Sequence, residues 1–182
     1  MKHDDIDLSP IRSQRLDLVP LSRDFMEAIV AGDRERAQKL VEFALPVDFP
    51  DEDALGLLTL RRMQVERDPG RAPWSLRAIV LRDARQMVGY TNFHGPPGVN
   101  DTATPGAAEV GYTVFPAHRG AGFATEVARA MIDWARSRHG VRHFISGVAP
   151  GNLPSRRINE KLGFVSTGQI VDGEEIFELR FA

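Results

Sequence analysis

The apolar positions of this chain switch repeatedly between two spacings. In "SQRLDLVPL" (13–21), Leu16 and Leu18 alternate with polar residues ahead of Pro20, the period of a strand. Ser22 then stands as the N-cap of a helix through about Ala31, with Phe25, Met26, Ile29 and Val30 on one face and Gly32 as its stop. A second helix is expected over 33–44. Beyond the proline-broken "LPVDFPDED" (45–53), a third runs over 53–67 and ends at "DPGRAP". "WSLRAIVLRD" (74–83) and "QMVGYTNFHG" (86–95) return to strand spacing, with a short turn around Asp83–Arg85. The polar, proline- and glycine-rich segment 96–107 predicts a mobile loop, and "AEVGYTVF" (108–115) a further strand.

Helical spacing resumes from Gly122 to about Arg138, where Phe123, Val127, Met131 and Trp134 fall on one stripe and Arg129 can pair with Asp133 on the other. Gly140 closes that helix. A strand over 141–150 follows, then a short helix ending at Gly163. Two last strands, 165–171 and 174–181, are joined by Asp172-Gly173, a strong hairpin signal. The order is strand, helices, three strands, helix, strand, helix, hairpin. It predicts one mixed α/β domain over 1–182, with a sheet of about seven strands flanked by helices.

The junction "RGAGFAT" (119–125) raises a chemical question. Gly120, Gly122 and Ala124 leave backbone N–H groups approachable just where a helix begins, and Arg119 precedes them. A helix N-terminus carries free donors and partial positive charge, so the stretch describes a seat for an anion such as phosphate. It is not a P-loop, because no lysine follows either glycine. The dinucleotide fingerprint also fits poorly: Thr125 holds its last small position, and the next strand ends "SGVAP" without a carboxylate.

"RGAGFA" (119–124) instead resembles the Arg/Gln-x-x-Gly-x-Gly/Ala loop of the GCN5-related N-acetyltransferase (GNAT) superfamily. "NLPSRRINEKLGF" (152–164) resembles that family's second motif, and "RSQRLDLVPL" is similar to the first strand of its ribosomal-protein-alanine acetylating (RimJ/RimL-like) branch. The likeness spans most of the chain and is densest over 108–164. It implies a mostly antiparallel sheet, splayed at the strand before the loop. It also implies acetyl-CoA as cosubstrate, its pyrophosphate ringed by the N–H groups around Gly120, Gly122, Ala124 and Thr125 beside Arg119. The pantetheine would pair with backbone from Tyr112 to Val114, and Asn152 would hydrogen-bond the coenzyme arm unless it serves only as a helix N-cap.

Acetyl transfer to an amine requires a base for the amine and an acid for the leaving thiolate. Many relatives place a tyrosine seven residues after the motif asparagine; that position is Asn159. Some place a glutamate five residues before it; that position is Gly147. The resemblance leaves Ser155 as the group nearest the thiolate, with close packing as its alternative role. Glu109 shares a strand face with Gly111 and Thr113 and could hold the water that takes the amine proton, or be a solvated strand-end carboxylate. His94 and His118 flank plausible cleft edges, or are simply surface histidines. His139 and His143 are four apart, but Gly140 interrupts the helix a metal site would need, so no metal is expected.

Composition narrows the classes further. The 182 residues carry a net charge of −2, which gives no footprint for nucleic acid, and contain no cysteine, which excludes disulfides and a cysteine nucleophile. The N-terminal "MKHDDIDLSP" lacks the apolar core of a secretory signal, and no run suits a membrane span, so a cytoplasmic protein is expected. Asp48, Asp51, Glu52 and Asp53, with Asp101 and Glu109, would give the cleft a negative mouth. The acceptor is therefore expected to be a peptide N-terminus or a small cationic amine, with a homodimer allowed. The alternative reading is a coenzyme A-binding regulatory or scaffolding module.

Overall fold

A computed structural model describes residues 7–182 of the chain. The polar run that argues against a secretory signal begins outside the described residues. The sheet has eight strands, one more than the sequence pattern predicts. The difference lies at the start. The expected first strand, 13–21, is β2 (Leu16–Pro20), and a short extra strand, β1 (Ile11–Arg12), forms a hairpin with it. Ser13 makes the turn, its N–H donating to the Leu16 carbonyl at 2.9 Å.

Helices α1 (Arg23–Val30) and α3 (Glu52–Arg67) lie where expected, capped by the side chains of Ser22 and Asp51. Between them, α2 (Arg34–Lys39) is shorter than the expected 33–44. Gln38 stops it by turning the chain: its amide donates to the Phe43 carbonyl at 2.8 Å and accepts from the Leu45 N–H at 3.0 Å. Then come β3 (Arg77–Leu81), β4 (Gln86–Phe93), β5 (Ala107–Val114), α4 (Phe123–His139), β6 (His143–Val148), α5 (Leu153–Leu162), β7 (Val165–Val171) and β8 (Glu174–Arg180). At the last hairpin Asp172 and Gly173 both take positive φ, 49° and 84°, the conformation a tight primed turn requires.

The strand order is β1-β2-β3-β4-β5-β6-β8-β7, and only β5 and β6 run parallel. One face of the sheet carries α4. Phe123, Val127, Met131 and Ile132 pack there against Val88, Phe93, Val110, Phe144 and Phe177. Trp134 extends the stripe as a half-buried ring, 5.2 Å from Trp74 and 6.1 Å from Phe93. The expected Arg129–Asp133 pair does not form: Asp133 lies 3.9 Å from Arg136, three residues on, and Arg129 is exposed. The other face carries α1 and α3, where Phe25, Met26, Ile29 and Leu58 pack on Ala78, Val80, Met87 and Tyr90. Each such side chain contributes about 1.5–3 kcal/mol by leaving water. No helix of the described residues is long and apolar enough to cross a membrane.

The feature that positions the site is the seam between β5 and β6. Backbone pairing runs Ala107↔His143, Ala108↔Phe144, Glu109↔Ile145 and stops. Residues 110–114 of β5 continue beside β4 alone, so the sheet opens into a V beyond Glu109.

Candidate active site

Below the V, β5 leads through a short 3-10 turn into the loop before α4. Gly120 and Gly122 take φ values of 80° and 82°, the left-handed region that glycine adopts without strain. Gly122 is itself the N-cap of α4 and contributes no side-chain cap, so the donors of the first turn stay free. The space above Gly120 is open: a Cβ built there meets nothing within 4 Å.

Tyr112, Val114, Arg119, Gly120, Gly122, Ala124, Thr125, Asn152 and Ser155 all line one groove of about 630 Å³. The fold thus brings together every site residue expected from the sequence except Glu109. His118, expected at a cleft edge or on the surface, lines the same groove, as do Arg157 and Lys161, which were not anticipated. Arg157 and Lys161 were legible in principle, being four apart on one face of α5. With Arg119 they make the groove cationic. Arg119 also donates from Nε to the Val114 carbonyl at 3.0 Å, tying the loop to the end of β5.

Asn152 caps α5, its Oδ1 accepting the Ser155 N–H at 3.2 Å. This is the local role the sequence allowed, and it leaves the side-chain NH₂ as a donor for the groove. Ser155, on the first turn, shares the groove with Tyr112. Burial pushes the Tyr112 phenol up, an effect partly offset by the Ser155 hydroxyl beside it. Tyr112 was expected to act through its backbone alone; its side chain adds an O–H at the same spot. Asn159 is 2% exposed and donates to Ser146 Oγ at 3.4 Å, locking α5 onto β6 rather than facing the groove.

Glu109 lies on the other face of the sheet. Its neighbours Ala108 and Val110 join the α4 core, so its own side chain points away from α4. The solvated-carboxylate reading is overturned: Glu109 is only 2% exposed. Its Oε2 accepts the Asp101 N–H at 2.8 Å and lies 3.4 Å from His94 Nδ1, which is 3.1 Å from Asp101 Oδ1. The segment expected to be mobile is knitted to this cluster, with Asn100 donating to the carbonyls of Thr104 and Ala107. Burial pushes the Glu109 carboxyl above the ordinary carboxylate range. His94 and the Asp101 N–H oppose that shift, while the charges of Asp101 and Glu174 add to it. His94 is therefore part of a polar cluster around a buried carboxyl, not a plain surface residue. His94, Asp101 and Glu109 also place three ligand-type atoms within 4.8 Å of one another, a grouping that their separation in sequence conceals.

A larger open groove of about 960 Å³ runs along the outer side of α4, lined by Arg12, Arg15, Arg129 and Arg136 among others. It meets the anion seat only at Gly122 and Thr125 and contains neither Ser155 nor Glu109. The smaller groove alone carries Ser155 together with the glycine loop and Tyr112.

Comparison with known proteins agrees with this arrangement. The profile of the acetyltransferase (GNAT) domain matches residues 15–165. Over 155 residues the chain is 27% identical to the uncharacterized N-acetyltransferase YjdG of Bacillus subtilis strain 168, covering 85% of this chain and 89% of that protein. Among solved structures, an acetyltransferase from Agrobacterium tumefaciens superposes with a TM-score of 0.64 at 21% identity, covering 100% of this chain and 99% of the other. The ribosomal alpha-N-protein acetyltransferase RimL, in complex with coenzyme A, superposes with a TM-score of 0.63 at 16% identity, covering 95% of this chain and 98% of that one. The fold and its splayed seam define a GNAT-type enzyme. The chain belongs to the acetyltransferase (GNAT) family and is an N-acetyltransferase.

Proposed function

We propose that the protein transfers an acetyl group directly from acetyl-CoA to a primary amine within one ternary complex. The observation that carries this reading is the division of chemistry across the V. The glycine-lined groove and Ser155 lie on the α4 and α5 side, while Glu109 lies on the opposite face at the last paired position of β5. A donor and an acceptor approaching from the two faces meet at the opening.

The groove suits coenzyme A. Free N–H groups at Gly122, Ala124 and Thr125, with Arg119 and Lys161 alongside, match a pyrophosphate; each charge-assisted bond contributes roughly 1.5–3 kcal/mol. The edge of β5 from Tyr112 to Val114, left without a partner strand on the β6 side, offers backbone groups to the pantetheine amides. The Asn152 NH₂ stands at the mouth of α5 to orient that arm.

Residue roles follow from position. The acceptor arrives as an ammonium and gives a proton to the Glu109 carboxylate, directly or through one water. A buried carboxylate with an upward-shifted pKa is better matched to that task at neutral pH than an exposed one. The nitrogen lone pair forms the new C–N bond, the C–S bond breaks, and the sulfur keeps its electron pair. Ser155 gives its hydroxyl proton to the sulfur and takes the nitrogen's remaining surplus proton, leaving a neutral amide and thiol; the adjacent Tyr112 phenol holds the serine in place, and Glu109 returns its proton to water. The Asp101, Glu109 and Glu174 carboxylates favour a cationic acceptor, a peptide N-terminus or a small polyamine-like molecule, in a reducing compartment such as the cytoplasm. Asp51 does not belong to this argument, since its carboxylate is occupied in capping α3.

Initial rates of thiol release, with acetyl-CoA and a panel of peptides and amines varied together, test the reading. Intersecting lines are expected. Parallel lines, or an acetylated enzyme trapped without acceptor, overturn direct transfer.

A further inference from the structure

Beyond the last β5–β6 pair, Glu109↔Ile145, the next positions on the same face in continued register are Gly111 and Gly147. Both walls of the V are therefore bare on the acceptor face. One wall is not left empty. A methyl group built at Gly147 would collide with Glu174 Oε2 and lie 3.3 Å from its Cδ. The Glu174 side chain, reaching across from the start of β8, fills the volume that a side chain at residue 147 would take.

The strand register explains how. Gly147 pairs with Ile176, so Glu174, two residues earlier, leans diagonally over Gly147 on the same face. Phe144 and Phe177, of opposite parity, point into the α4 core, which fixes the Gly147–Glu174 face as the one Glu109 shares. The two carboxylates are close enough for Glu174 to act on Glu109 electrostatically.

The other acids of β8 are spoken for. Glu175 lies 2.8 Å from Arg156 and accepts from Ser166 at 2.6 Å; Glu178 lies 3.1 Å from His143 and 3.0 Å from Arg180. The Glu174 carboxylate has no ion pair or side-chain hydrogen bond among the described residues. It is folded over a glycine at the mouth of the V with a second carboxylate across the opening. An ammonium between them relieves the repulsion and gives both an opposite charge.

We propose that Glu174 is the acceptor-anchoring residue of this enzyme: seated over Gly147, it holds the substrate's ammonium group opposite Glu109 and selects primary alkylamines in their cationic form. This inference rests on the transfer reaction proposed above and assigns its acceptor subsite. It divides the labour, with Glu109 taking the proton and the Glu174 carboxylate holding the substrate.

The test uses the full chain loaded with coenzyme A, titrated calorimetrically with 1,4-diaminobutane and with Ala-Ala-Ala amide. Glu174→Gln is expected to weaken amine binding about tenfold and to leave acetyl-CoA affinity unchanged. Gly147→Ala is the second variant. Gly147 has an ordinary strand backbone that alanine can adopt, and the added methyl displaces the carboxylate without removing its charge. It is expected to weaken the amine similarly. In steady state the amine KM rises about tenfold in both variants while kcat falls less. Wild-type affinity in both variants, or no amine binding by the wild type, overturns the assignment. Binding is read without turnover, so a wild type that holds the amine through Glu174 but releases no thiol overturns the transfer reading alone.

Discussion

The two faces of the V solve the problem of handling charge in opposite ways. On the α4 side, the groove is built mainly from backbone: two glycines in left-handed conformations, an uncapped helix start, and a few cations at the rim. Such donors are fixed by the fold and cost little to keep unpaired at a solvent-open helix end. On the opposite face, the charged groups are side chains gathered from far apart. Glu109 comes from β5, His94 from the end of β4, Asp101 from the loop and Glu174 from β8. These groups crowd around the buried Glu109 carboxyl and together bias its ionisation. Backbone donors give robustness; a crowded carboxylate suits the proposed proton acceptor, at a cost in stability.

The contrast breaks most sharply if a charge is added to the backbone side. Thr125 is the third residue of α4, where a glutamate favours the helix through its dipole and by capping. Thr125→Glu should therefore keep or raise the Tm. It should also weaken acetyl-CoA on the order of a hundredfold, because a carboxylate then faces the pyrophosphate at short range. Calorimetry beside a thermal melt measures both. Unchanged affinity in the folded variant moves the anion seat elsewhere.

On the carboxylate side, Glu109→Gln should lower kcat about ten- to a hundredfold and remove the acid limb of the pH–rate profile. Its effect on stability has the opposite sign. Burial raises the Glu109 pKa in the folded state, so between the ordinary carboxylate value and that raised value the folded state binds more protons than the unfolded one. Stability from this group is then full at low pH and lost as pH rises through the raised value. The groups facing it are His94, Asp101 with its N–H, and Glu174. Glu109→Gln should consequently raise the Tm at neutral pH and leave it unchanged below the ordinary carboxylate range. A variant that is slower but no more stable at pH 7 would show that the site stores no such cost.

This asymmetry also explains what could be read from the sequence. The backbone face is local: the glycines, Arg119 and the start of α4 fall within 119–125, and Asn152 and Ser155 within four residues, so motif and spacing expose them. Most elements were legible for the same reason, being periodic and capped. The extra strand β1 depends on one serine turn, and the early stop of α2 on a Gln38 side chain bonding forward, both invisible to periodicity. The carboxylate face is non-local. Glu109 was visible as a strand residue, but its burial depends on a loop folding back through Asp101. Glu174 enters only because β8 inserts between β6 and β7 and because residue 147 has no side chain.

A smaller effect should separate the two groups at the sulfur. Ser155→Ala is expected to lower kcat about tenfold with acetyl-CoA affinity nearly unchanged, since its bond matters most as the thiolate forms. Tyr112→Phe should cost a similar or smaller factor. If the phenol works through the serine, the double variant is no slower than the slower single one. Multiplying losses would mean that the two act independently.

The smallest predicted effect concerns how the backbone face is held rigid. Arg15, in the turn between β1 and β2, reaches α4 through a dense set of bonds. Its backbone N–H and its Nε donate to the two oxygens of Glu126 at 2.7 and 2.8 Å, and Nη1 donates to the Ala121 carbonyl at 3.0 Å. Ser13 adds a hydroxyl bond to Glu126 at 2.7 Å, and the guanidinium lies 4.5 Å from the centre of the Phe123 ring. The clasp joins the first hairpin to the carbonyl just before Gly122, so it orients the loop without supplying net charge to the groove. Arg15→Ala and Glu126→Ala should each weaken acetyl-CoA a few-fold, with kcat at saturation unchanged. Their losses should not add, with a coupling of about 1 kcal/mol in a double-mutant cycle, at the low end for paired groups. Arg15 is partly exposed, and salt should shrink the coupling. Additive losses would show that the loop holds its left-handed glycines without help from the hairpin.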